Sequence, residues 1–192
     1  MAEGQLGNDA WPAGLPTESS GGRIHDEHPF LPPESDRNPV RRLRGRLASP
    51  VVVLTAQHAG RRAGLTVSSV LVVDGDPGQL LAIVDPLSDL HDAVLGSGVA
   101  VVNLLGSADG PLAEAFGYQA PAPGGPFRLA EWVDSEWGPV LVGGIGWAGC
   151  RLLTDRRPMG WGVELHFAME NVTIGRDDAP LLRHRGRYGT FG

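Results

Sequence analysis

The chain contains no lysine, so each of its 16 basic side chains is an arginine. A phosphate held here by a cation must therefore be held by a guanidinium fork. Cysteine is nearly absent too. The single Cys150 excludes an internal disulfide framework and a thiolate zinc cluster, and its apolar, glycine-rich setting reads as an inert buried thiol. No run approaches the ~20 consecutive apolar residues of a membrane span. The polar, acidic N-terminus lacks the charged-then-apolar pattern of a signal peptide, so the chain reads as cytoplasmic, with no membrane partner. Basic excess is missing as well: a net charge of -6 argues against non-specific nucleic-acid binding. There is no G-x-S-x-G elbow, no Walker or Rossmann glycine signature, and no histidine pair at ligand spacing, so no metal is expected.

What is present is turn chemistry. With 28 Gly and 16 Pro in 192 residues, the composition favours short strands over long helices in one ordinary domain. Residues 1–39 carry Pro and Gly interruptions without apolar periodicity and read as a flexible leader; residues 40–192 read as the folded domain. The arginines from Arg41 to Arg46 read as a solvated lead-in to the first strand. Pro50–Ala56 and Arg61–Val73 suggest a hairpin across a short polar turn. Gln79–Val84 is continuously apolar and reads as a strand buried on both faces. Ser88 starts a short helix that Gly96 or Gly98 ends. Val99–Leu105 is the next strand, and Pro111–Phe116 a second short helix. Further strands fall at Pro139–Leu153 and Trp161–Ile174, separated by Thr154–Gly160. In the latter, Val163, Leu165, Phe167 and Met169 share one face. Trp132 and Trp137 read as packing anchors. About six or seven strands with two short helices make a small, mainly β barrel.

Four separated stretches carry candidate chemistry. In Gly64–Ser69, alternation projects Thr66 and Ser68 to one face and Val67 and Ser69 to the other, beside a glycine that permits close approach to a flat ligand. In Asp85–Leu90, Ser88 caps a helix whose orphan amides favour an anion, while Asp89 and Asp92 repel one. Asn103 interrupts the apolar Val101–Leu105 strand, and its amide must find partners, in a ligand edge or in a neighbouring loop. The tail reads Pro180-Leu-Leu-Arg-His-Arg-Gly-Arg-Tyr188, either a solvated basic terminus or a phosphate-reading segment.

In this order, G-x-T-x-S-S, V-N-x-L followed by a short helix bearing Phe116, and the H-x-G-x-Y tail resemble the flavin reductase-like family over roughly Leu43 to Tyr188. The resemblance implies an FMN-binding split β-barrel of Greek-key type and an NAD(P)H:flavin oxidoreductase, with FAD or riboflavin as alternative flavins. It implies that Thr66, Val67, Ser68, Ser69, Asp85, Ser88, Asn103, Leu104, Leu105, Phe116, Arg187 and Tyr188 bind the flavin. It places His184 and Arg185 at the nicotinamide side. It also implies a homodimer and a monooxygenase that receives reduced flavin. The rival readings are a redox enzyme that retains its flavin or deazaflavin, and a non-enzymatic flavin-binding barrel.

Overall fold

The computed structural model describes residues 39–190, with the backbone alone at 154–156. The expected leader lies outside the described residues except for Pro39, which opens a helix. That helix, α1 (Pro39–Arg46), stands where a solvated lead-in was expected. It leads through the two-residue β1 (Ser49–Pro50) into β2 (Val52–His58).

A tight turn with positive φ at Ala59 and Gly60 joins β2 to β3 (Arg61–Val67). The expected long second strand breaks at Ser68–Ser69, and β4 (Val70–Val73) begins beyond the bend. Next come β5 (Gln79–Val84), α2 (Asp89–Ser97), β6 (Val99–Leu104) and α3 (Gly110–Phe116). Helix α2 begins and ends where its caps dictate: Ser88 accepts from the His91 amide, and Gly98 closes it at φ 73°.

A short 3₁₀ turn (Pro126–Leu129) precedes the hairpin β7 (Trp132–Ser135) and β8 (Gly138–Leu141). The hairpin β9 (Gly146–Met159) and β10 (Gly162–Ile174) follows, and the tail forms β11 (Leu182–His184) and β12 (Arg187–Gly189). Two expectations are corrected here. The apolar stretch 139–153 divides at Gly143–Gly144 between two strands, and Thr154–Met159 continue β9 where a break was expected.

Seven strands form one curled sheet in the order β3-β2-β6-β9-β10-β5-β4. All adjacent pairs are antiparallel. The chain passes from one edge strand, β3, to the other, β4, through Ser68–Ser69, and the Ile83 amide donates to the Ser69 carbonyl across 2.9 Å, extending the β4–β5 pairing. Inside lies one apolar core, including Leu54, Leu80, Leu90, Val94, Leu165 and Phe167. The alternation expected in β10 holds, with Val163, Leu165, Phe167 and Met169 all facing it. In β5 only Leu80, Ala82 and Val84 are buried, so that strand alternates and is not covered on both faces.

A second apolar cluster covers the outer face of β2 and β6, where Val51, Val53, Leu105, Leu112, Phe116 and Leu181 pack together. Phe116, Phe127 and Trp132 meet edge to face there, with centroids 4.9–5.5 Å apart. Gly64 makes this possible: a Cβ at that position would lie 2.6 Å from the Phe116 ring.

Candidate functional site

The sheet register brings the separated sequence stretches to one end of the barrel. Val67 at the end of β3 pairs with Val52, and Val52 pairs on its other side with Leu104 at the end of β6. Ser68 and Ser69 leave this row, and the bond from Ile83 places them beside the end of β5 and the Asp85–Ser88 turn. The tail reaches the same end, where the Leu181 amide donates to the Leu105 carbonyl and the Val51 amide to the Leu181 carbonyl. The β11–β12 hairpin pairs with β1 and turns at Arg185 and Gly186, both with positive φ. Positive φ at both central residues suits a two-residue hairpin.

Within this end the side chains divide into two groups. Ser68 and Ser69 are half-buried, and neither hydroxyl is hydrogen-bonded to the described protein. His184 and Arg185 are exposed at the hairpin tip. These groups are available to a ligand. The others are engaged. Thr66 donates to the Ala113 carbonyl at 2.7 Å, tying β3 to α3. Val67 and Leu105 are buried in the two apolar clusters, and Leu104 packs partly against the inner one.

Asn103, whose amide had either a ligand edge or a neighbouring loop open to it, finds all its partners within the protein. It is only 1% exposed, and its amide nitrogen donates to the Val53 carbonyl and the Thr55 hydroxyl, both at 3.1 Å. Its oxygen accepts from the Leu141 amide at 2.8 Å. Thr55, absent from the sequence-derived site, donates in turn to the Pro139 carbonyl. The amide is thus spent on pinning β8 to the outer face of the sheet. Phe116, 1% exposed within the aromatic cluster, is likewise a packing residue.

Tyr188 is half-buried against the outer cluster with its hydroxyl unpartnered, and the Arg183 guanidinium lies 5.6 Å from its ring centroid. Burial pushes the phenol upward, and Arg183 partly opposes this. Arg187 is exposed on β12.

The turn before α2 is acidic and self-satisfied. Ser88 donates to the Asp85 carbonyl at 2.7 Å and accepts from the His91 amide, so its hydroxyl is committed to the cap. The Asp85 carboxylate accepts from the Leu87 amide. Asp89 and Asp92 are exposed in the first helical turn. This donor set suits an uncharged ring beside Ser68 and Ser69, whereas the carboxylates work against a phosphate at Ser88.

Other polar and aromatic side chains serve the fold. Trp137 lies over Gly149, where any Cβ would collide with its ring, and its indole donates to Glu170 at 2.7 Å. Arg151 pairs with the same carboxylate, and together these partners hold Glu170 below the usual carboxylate range. Cys150 is buried, and desolvation pushes its thiol up to about 12.

Against known proteins, the flavin reductase like domain matches residues 44–192. An FMN reductase (NADH) RutF 1 of Methylorubrum extorquens is 31% identical over 157 residues, covering 81% of this chain and 77% of that one. The reductase component of a 4-nitrophenol 4-monooxygenase/4-nitrocatechol 2-monooxygenase from Rhodococcus opacus is 28% identical, covering 81% and 82% respectively. Among solved structures, the NADH:FAD oxidoreductase SgcE6 of Streptomyces globisporus, in complex with NAD and FAD fragments, has the same fold. Its TM-score is 0.73 at 20% identity, over 84% of this chain and 96% of that one. A mainly β curled sheet, the convergence of the sequence motifs at one end, and a family match over most of the chain agree: the protein belongs to the flavin reductase-like family.

Proposed function

We infer that the protein is an NAD(P)H-dependent flavin reductase that passes hydride equivalents from a reduced nicotinamide to FMN. The observation that carries this reading is the gathering of Ser68–Ser69, the Asp85–Ser88 turn, Leu104–Leu105 and the tail hairpin at one barrel end. A bound flavin supplies the two-electron acceptor.

The chain's own part is positional. Ser68 and Ser69 hydrogen-bond the polar edge of the ring, and the main chain at Val67, Leu104 and Leu105 lines its approach. His184 and Arg185 flank the nicotinamide, and Arg187 and Tyr188 brace that side. Thr66, Ser88, Asn103 and Phe116 act one step removed, by fixing the strands and helices that carry these groups. Rate then comes from holding donor and acceptor in contact and excluding water, with no protein nucleophile.

The reductase component from Rhodococcus opacus supports an extension of this reading, in which reduced flavin is handed to a partner monooxygenase. We extend the reading also to a cytoplasmic homodimer, as the family resemblance implies. Among the described residues, no helix is long and apolar enough to cross a membrane.

The test of the site is a flavin titration of the Ser68→Ala, Ser69→Ala double variant. Loss of both hydroxyls weakens FMN roughly five- to 150-fold, at about 0.5–1.5 kcal/mol for each hydrogen bond. Unchanged affinity in a folded double variant places the ring elsewhere.

A further inference from the structure

The charges of this chain are segregated in a way the hydride chemistry does not use. Residues 39–58 and 179–190 together hold seven of the 16 arginines and none of the 22 acidic residues, in a chain of net charge -6. The fold joins these two remote segments. The Arg185 amide donates to the Gly45 carbonyl at 2.8 Å, and β1 pairs with β11 through Ser49 opposite Arg183.

Four arginines of α1 (Arg41, Arg42, Arg44 and Arg46) and Arg185 are exposed on the resulting face. Among the described residues, none of these five is paired with a carboxylate. Three arginines elsewhere are neutralised locally: Arg62 by Asp134 at 2.7 Å, Arg176 by Asp178 at 3.3 Å, and Arg151 by Glu170. The uncompensated charge borders the proposed ring site, because β1 runs directly into β2, whose Val52 pairs with Val67 ahead of Ser68.

We propose that the face built by α1 and the β11–β12 hairpin is the dock for the phosphates of the nicotinamide dinucleotide, with the 2′-phosphate of NADPH as its strongest ligand. This rests on the reductase reading for the identity of the substrate. An anionic dinucleotide approaching a net-negative molecule is repelled over most of its surface, and this face attracts it. Guanidinium forks bind phosphate oxygens bidentately, which a solvated lead-in would never exploit. The attraction acts within about 8 Å at physiological ionic strength, so the dock is salt-sensitive.

The test is calorimetric titration of the full chain with 2′,5′-ADP, which carries the phosphates without the nicotinamide, at low and at physiological ionic strength. It is run on the parent, on Arg41→Gln with Arg44→Gln, and on Arg61→Gln as a control. Arg61 lies at the opposite end of the β2–β3 hairpin. Glutamine keeps the helix propensity, and circular dichroism checks that each variant is folded.

The double variant is expected to bind roughly five- to tenfold more weakly at low salt, with the gap narrowing as salt rises. Arg61→Gln is expected to bind as the parent does. In turnover, KM for NADPH rises while KM for FMN does not. A parent that fails to bind 2′,5′-ADP, or a folded double variant that binds it as the parent does, overturns the dock. If 2′,5′-ADP binding is lost in the double variant but neither nucleotide is ever oxidised, the dock stands and the reductase reading falls. If turnover is normal and binding is insensitive to α1, the dock falls and the reductase reading stands.

Discussion

Replacing Asn103 by alanine separates a structural amide from a flavin-binding one. The side chain is 1% exposed, donates to Val53 and Thr55 and accepts from Leu141, so its removal strands the Leu141 amide in a region where that residue is 7% exposed. A buried donor left without a partner costs about 1–3 kcal/mol, and the vacated volume adds to it, for a total of roughly 2–4 kcal/mol. Against a stability of about 5–15 kcal/mol this is a large fraction, and it corresponds to a fall in Tm of roughly 5–15 °C. Urea unfolding with tryptophan fluorescence measures it directly, because Trp132 and Trp137 lie within the hairpin that Asn103 pins. Thr55→Val removes the next member of the same chain of bonds, since the Thr55 hydroxyl accepts from Asn103 and donates to Pro139. The two substitutions should therefore be non-additive by about 0.5–2 kcal/mol. Unchanged stability in Asn103→Ala, together with a clear loss of flavin affinity, refutes this assignment and returns the amide to the ligand.

Other outcomes follow from the same contacts. Gly149→Ala drives a Cβ into the Trp137 ring and should cost about 1–3 kcal/mol, with a shift in tryptophan emission; an unperturbed spectrum and Tm would contradict the packing of Trp137 over β9. Glu170 is held below the ordinary carboxylate range by Arg151 and Trp137, so its contribution is present at neutral pH and is lost as pH falls through its lowered folded-state value. Thermal scans over the acid range should show the parent losing stability that Glu170→Gln never had. Cys150, with its thiol pushed up to about 12, should resist a thiol reagent at mildly alkaline pH until denaturant is added. Asp89→Asn with Asp92→Asn removes two carboxylates from the first turn of α2. This should lower KM for FMN by roughly two- to fivefold and leave KM for riboflavin where it was; equal effects on both flavins would place the phosphate away from this turn.

Much of this architecture is written in local chemistry. Ser88 and Gly98 delimit α2 because a capping hydroxyl and a left-handed glycine decide helix ends within a few residues. The face of β10 follows from simple alternation at Val163, Leu165, Phe167 and Met169. The misreadings arose where partners lie far apart in the chain. The stretch from Pro139 to Leu153 is apolar throughout, yet β8 lies in an outer hairpin and β9 in the middle of the main sheet, and only tertiary packing distinguishes them.

Asn103 announces a buried amide, but its partners are 38 to 50 residues away. Thr55, inside a β-branched run, carries no signal of its own. Gly64 invites the reading of close ligand approach, yet the approaching group is Phe116 of the same chain. The arginines of α1 looked like a solvated lead-in because nothing local ties them to a tail more than a hundred residues away. The hydrogen bond from Arg185 to Gly45 makes that link.

The absorbance of NADH and of NADPH, followed with the purified protein with and without added FMN, decides whether the protein is a flavin reductase. Oxidation should depend on FMN and slow in the Ser68→Ala, Ser69→Ala variant at limiting flavin. A folded protein that oxidises neither nucleotide with FMN, FAD or riboflavin would contradict it.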